Sequence, residues 1–252
     1  MPLAIAAVPS FHWRVSQTAK RRPGSAAPSC RRERSRLKAV VFATAAALAI
    51  AGSAVIAQQA AAPAPMPASP RGTAATQVGG KWVVEKEGTA PRYREGKWIV
   101  VDYGRPILRG RTDIFGAGAD YGKTVNAGAP VWRAGANQTT RFKTEVPLVF
   151  AGKTLPAGEY SLFVELKPGA WTLIFSTQPY QTKYDPNNKT ETFGAYNYDP
   201  KFDVLRVPMQ TTVGGASWDQ FTIAFLDMTQ QGGTLAMGWE KTVAKVAFTV
   251  GP

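Results

Sequence analysis

Between residues 158 and 250, apolar and polar residues alternate with a period of two in one short run after another, and this alternation leaves few folds open. In "EYSLFVEL", Tyr160, Leu162, Val164 and Leu166 share one face, and in "WTLIF" Trp171, Leu173 and Phe175 do. "FTIAFL" aligns Phe221, Ile223 and Phe225; "TLAMGWE" aligns Leu235, Met237 and Trp239; "KVAFTV" aligns Val246, Phe248 and Val250. Such runs are strands with one buried and one wet face, the signature of antiparallel sheets. Turn-forming residues separate them at Ala151-Gly152-Lys153, Pro156-Ala157-Gly158, Pro168-Gly169, Gly214-Gly215 and Gly232-Gly233. No segment after residue 57 sustains a helical period with caps. The expected fold is all-β, an antiparallel β-sandwich of jelly-roll-like type. About 150 residues suffice to bury near two-thirds of their unfolded surface, so the fold needs no disulfide staples.

The charge is placed very unevenly. The chain carries a formal +13 over 252 residues, yet nine of its 30 basic residues and one of its 17 acids precede residue 58. From Asp102 onward 15 basic residues meet 13 acids. A nucleic-acid surface needs its Lys and Arg gathered on the folded domain, so nucleic acid is not an expected partner. The early basic residues precede an uncharged Ala-rich run, "AVVFATAAALAIAGSAVIA", which ends at Ala57 before polar Gln58-Gln59. That pattern predicts a leader over 1–38, disordered or continuing into a single helix, and a signal-peptide apolar region over 39–57 cleaved near Ala57. The alternative is an uncleaved membrane anchor, since the run is of borderline spanning length. Residues 58–78 read as a Pro- and Ala-rich linker, disordered or extended, and 79–252 as the β-sandwich domain. The destination is periplasmic or extracellular, with membrane contact only through an uncleaved leader. A short echo, "GKWVV" from Gly80 and "GKWIV" from Gly96, reads as two strands, paired or not.

The single Cys (Cys30) and the single His (His12) both fall in the leader. After Ala57 the chain has no Cys or His to ligate a metal, no thiol or imidazole-assisted nucleophile and no disulfide. No metal or cofactor is expected. Any catalysis would run on Asp, Glu, Lys, Tyr, Ser or Thr.

From "YGRPILRGRTDIFG" (103–116) the chain resembles a bacterial exported family, the domain of unknown function 2911 family. The resemblance continues through Tyr121-Gly122-Lys123, Trp132-Arg133 with Gly135-Ala136-Asn137, Leu155-Pro156-Ala157-Gly158 and Tyr160-Ser161-Leu162-Phe163. It runs on through 171–175, "GAYNYD" (194–199) and "DVLRV" (203–207) to Trp239-Glu240, covering 100–250. It implies an exported β-domain without an assigned activity. Three departures stand out: Gln138 where the family pattern has Glu, extra residues 124–130, and an insertion at 177–192 before Phe193, a position where Trp is usual. An amide at 138 cannot exchange a proton near neutral pH, which removes that position as a catalytic carboxylate.

The candidate ligand-binding residues are Arg105, Arg109, Arg111, Arg133, Asn137, Gln138, Tyr196 and Tyr198. In "VWRAGANQTTRF" (131–142) Trp132 is expected to plug the core, Gly135 to supply an unusual backbone shape, and Asn137 to close an Asx-type turn onto its own backbone. Arg133 is either half of a buried ion pair or a half-exposed fork for an anion. Arg105, Arg109 and Arg111, with Arg133 and Lys123, build either an anion-binding rim or ordinary surface salt bridges worth under about 1 kcal/mol each. Tyr196 and Tyr198 share a face if extended, either as a stacking platform or buried with wet hydroxyls, the reading favoured here. "DPNNKTE" (185–191) lacks the spacing of a calcium loop and reads as a solvated tip. The leading functional expectation is a binding or interaction module of the periplasm or envelope, for a small molecule, a glycan or an envelope protein. The alternatives are a hydrolase or lyase built on carboxylates with Arg or Tyr, which needs two acids about 5–10 Å apart in a groove, and a purely structural envelope protein.

Overall fold

The computed structural model describes residues 68–252; the leader (1–38), the apolar region (39–57) and the linker up to residue 67 lie outside the described residues. Within them the chain forms β1 (Arg71–Val78), β2 (Lys81–Val83), β3 (Arg92–Arg94), β4 (Lys97–Gly104), a single helical turn α1 (Lys123–Asn126), β5 (Thr140–Thr144), β6 (Leu148–Phe150) and β7 (Lys153–Leu155). There follow β8 (Gly158–Glu165), β9 (Thr172–Ser176), β10 (Asp203–Pro208), β11 (Gln210–Thr229) and β12 (Gly232–Val250). One sheet has the order β1-β4-β5-β8-β9-β10, the second β11-β12-β6-β7, and β2-β3 form a separate hairpin. Every paired strand is antiparallel. The two larger sheets enclose one core, so the fold is an all-β sandwich. None of the described helices is long and apolar enough to cross a membrane.

The alternation places the core. Ile99, Val101, Phe142, Leu162, Leu173 and Phe175 point inward from the six-stranded sheet, and Phe221, Leu235, Met237, Trp239 and Phe248 from the other. Burying side chains of this size contributes about 1.5–3 kcal/mol each, the main favourable term of a sandwich. At one end the core is aromatic. Trp132 stacks on Trp239 with ring centroids 6.2 Å apart and meets Phe115, Trp171 and Phe221 edge-on. It plugs the core as expected, although it sits in no long strand. Its backbone exchanges two 2.8 Å hydrogen bonds with Val164, which fixes its depth.

Three sequence expectations change here, and the open pairing of the echo strands is decided. The last eight residues assigned to the linker form β1, an edge strand paired along its length with β4. The two echo strands do not pair with each other: β2 pairs with β3, and β4 lies between β1 and β5. Gly214-Gly215 does not end a strand but bulges within β11, where the register against β12 shifts. "TLAMGWE" and "KVAFTV" are one strand, β12, whose alternation is interrupted at Glu240 by a positive φ of 54°.

Candidate functional site

The outer face of the six-stranded sheet carries one polar row. Cross-strand register sets Thr73 opposite Asp102, Asp102 opposite Arg141, Arg141 opposite Ser161, and Ser161 opposite Ser176. Such a row normally faces water. Here half of it is roofed by residues 177–199, and Ser161 and Ser176 are fully buried. Two buried glutamines hold the roof. Gln178 donates through Nε2 to the carbonyls of Thr190 (3.0 Å) and Asn197 (2.7 Å) and accepts from the Asp199 N–H (2.9 Å). Gln181 donates to the carbonyls of Asn188 (3.3 Å) and Glu191 (3.1 Å) and accepts from the Asp185 N–H (2.7 Å). These amides supply the partners that a covering segment outside any sheet would otherwise lack. Under the roof Val131, Phe163, Ile174 and Ala195 form a second small apolar cluster. The tip at 185–191 is solvated in part, as expected, but it is tied from inside by Gln181 and by Asn188, whose Oδ1 accepts from the N–H groups of Thr190 and Glu191.

Where the roof stops, a cleft of ≈ 770 Å³ opens over the uncovered half of the row. Thr73, Asp102 and Arg141 line it from the sheet, Asn137 and Gln138 from the turn before β5, and Tyr180 from the roof. Arg141 is half-buried. Its guanidinium lies 4.0 Å from the centre of the Tyr180 ring, and Nη1 donates to Ser161 Oγ at 2.6 Å. Burial lowers its pKa, partly offset by Tyr180 and Glu159. Glu159 itself pairs with Lys143 at 3.2 Å, and among the described residues Arg141 forms no ion pair. Gln138 joins the two sides of the cleft: Nε2 donates to the Thr182 carbonyl at 2.6 Å, and Oε1 accepts from Arg71. A glutamate at 138 could not make the first of these bonds, so the amide suits the insertion. Asp102 accepts from Thr73 Oγ1 and is the one carboxylate among the described lining residues.

The turn that delivers Asn137 and Gln138 is built on backbone contact. Ala134, Gly135 and Asn137 all have positive φ (46°, 154° and 63°). Gly135 rests on Gly104 at the end of β4, where a Cβ on Gly104 would overlap the Ala136 carbonyl oxygen. The turn therefore needs glycine at both positions. Asn137 does not close an Asx turn. It takes the left-handed conformation and sends Nδ2 to the Ser69 carbonyl at 3.2 Å, tying down the entry to β1. Arg133 is not half of a buried ion pair among the described residues: half-exposed, it donates to the Asn137 carbonyl at 2.8 Å and lies over the Tyr196 ring, 5.5 Å from its centre. Gly194 makes room for that guanidinium.

The structure brings two of the eight candidates, Asn137 and Gln138, into the cleft and disperses the other six. Arg105 donates to the Phe221 carbonyl (3.3 Å) and Thr222 Oγ1 (3.1 Å), joining the two sheets. Arg111 donates to the carbonyls of Leu108 and Ile107, Arg109 occupies a left-handed turn position, and Lys123 pairs with Asp120; none of these cations lines the cleft. Tyr196 is 42% exposed beneath Arg133, against the expected burial. Tyr198 is half-buried, and its hydroxyl donates to Asp203 Oδ2 at 2.6 Å. Burial, and then that bond, push its pKa far up, so it stays protonated. Residue reasoning missed Arg71, Asp102, Arg141 and Tyr180. Among the described residues no cluster of His, Cys, Asp or Glu could hold a metal ion.

A family model described as "Protein of unknown function (DUF2911)" matches residues 86–248. No curated protein and no solved structure matches the chain.

Proposed function

The chain belongs to the family described as protein of unknown function (DUF2911), and on that premise we propose that it is an exported binding domain whose ligand sits in the cleft beside Arg141. The observation that carries this reading is the half-buried guanidinium, without an ion-pair partner among the described residues, held on an aromatic face at the edge of a formed cavity. A pocket of this size with a few oriented polar groups suits a small ligand. Binding is favoured over turnover by the acid inventory. Hydrolysis by paired carboxylates needs two acids, and the described lining offers Asp102, already bonded to Thr73. Export is supported by the basic leader, the apolar run to Ala57 and the polar residues after it. The test is a thermal-shift screen of the protein against neutral sugars, sugar acids, short peptides and inorganic anions, repeated with Thr73→Trp, which fills the cleft from an exposed strand position. A native-state ligand raises the melting temperature. Ligands that stabilise the wild type and not the variant support the site; a screen without such a ligand removes it.

A further inference from the structure

We propose that the cleft recognises its ligand through a carboxylate group, gripped by Arg141 with Arg71 at the mouth; this rests on the reading of the cleft as a ligand site. Arg141 is restrained on two sides, by Ser161 through Nη1 and by the face of Tyr180. A guanidinium held in this way has lost much of its conformational freedom before a ligand arrives, and its planar fork matches a carboxylate through two parallel hydrogen bonds. The acid nearest in influence, Glu159, is engaged by Lys143, so the charge of Arg141 has no anionic partner among the described residues. An unpaired half-buried cation is costly, and a bound anion offsets that cost.

The charge balance of the lining selects the kind of anion. Arg71 and Arg141 face one acid, Asp102, a surplus of one positive charge. A monoanion neutralises that surplus, whereas a phosphate dianion would set excess negative charge beside Asp102. Asp102, directly opposite Arg141 across the β4–β5 pair, and the Oδ1 of Asn137 add acceptors to the lining, suited to hydroxyl or amide N–H groups next to the carboxylate. Two sources share this chemistry: a sugar acid and the C-terminus of a short peptide.

The experiment titrates the protein calorimetrically with matched pairs that differ only at the acid: glucuronate against glucuronamide, and N-acetyl-Ala-Ala against its C-terminal amide. Inorganic phosphate is a fifth probe. The expected result is binding of one acid, at least tenfold weaker binding of its amide, and no tighter binding of phosphate. The pair that responds identifies the source. Arg141→Lys, which keeps the charge and loses the fork, should weaken that acid about tenfold or more. The melting temperature of the unliganded variant reports whether it folds; should it not, Arg71→Met, on an exposed side chain, replaces it, with an expected weakening of several-fold. Amides that bind as well as the acids would overturn the proposal. So would acids that fail to bind at about 10 mM, or an Arg141→Lys variant of unchanged affinity. A neutral ligand blocked by Thr73→Trp alongside unbound acids would defeat the carboxylate inference and leave the ligand site standing. Loss of every Thr73→Trp-sensitive ligand would defeat both.

Discussion

Trp132 and Arg133 are neighbours in sequence with opposite fates. Trp132 is almost fully buried and touches four other aromatic rings. Its deletion removes apolar contact and leaves a hole that surrounding strands cannot close. Trp132→Ala is expected to cost about 3–5 kcal/mol in urea melts. Arg133 lies half outside, bonded to one carbonyl and resting on one ring. With no buried carboxylate left behind by its removal, Arg133→Met is expected to cost only about 1–2 kcal/mol, the range of one charged hydrogen bond and a partly exposed cation–π contact. A loss in Arg133→Met as large as in Trp132→Ala would show that Arg133 neutralises a buried charge, against the geometry.

At the scale of elements, what could be read from the sequence depended on whether a residue's environment follows from its own strand. Period-two alternation placed the inner faces of β8, β9, β11 and β12, because burial there is set by the pleat. The turn at 134–137 was legible because glycine marks strained backbone. Arg141 and Asp102 were not, because a charged residue on a strand's outer face looks the same whether it meets water or a cleft. Only the roof distinguishes them, and the roof is hidden in sequence because glutamine is mostly an exposed residue. Arg71 was hidden for another reason: its strand follows directly on a Pro- and Ala-rich tract.

The roof yields its own prediction. Gln178→Leu keeps the bulk but strands two carbonyls and an N–H, all part-buried; a fully buried group left unpaired costs about 1–3 kcal/mol, and these cost less each. Urea melts should show a loss of at least about 2 kcal/mol, and hydrogen exchange should rise across 178–199 while β11 and β12 stay protected. Unchanged exchange in 178–199 would mean that the roof is held by something other than Gln178. A second element-level contact links β8 to β10. The bond from Lys167, the largest effect, outweighs the opposing effect of burial and, with a lesser contribution from Arg206, holds the Glu165 carboxyl below its ordinary value of 4.5. A carboxyl lowered in the folded state contributes stability that is fully present above pH 4.5 and is lost as the pH falls through the lowered value. Melting curves of wild type and Glu165→Gln should therefore differ above pH 4.5 and converge in stronger acid; a constant difference would refute the linkage.

For the whole molecule, the decisive boundary is the start of β1. This strand closes one edge of the six-stranded sheet, buries Ala74 and Val78 in the core, and carries Arg71 and Thr73 to the cleft. Gly79, just after it, donates to the Gln230 carbonyl at the tip of the β11–β12 hairpin, so the strand also contacts the second sheet. A mature protein that lost β1 would expose the hydrogen-bonding edge of β4, a template for aggregation. Any processing that leaves this sheet intact would fall upstream of Arg71. The end of the apolar run at Ala57 satisfies this, leaving residues 58–70 ahead of the strand. N-terminal sequencing of the protein from its native host is expected to find a start near Gln58. An intact leader recovered in the membrane fraction would replace cleavage with an anchor and leave the domain assignment untouched. A start beyond Arg71 in soluble, folded protein would contradict the place of β1 in the sheet, and with it the part that Arg71 and Thr73 play in the cleft.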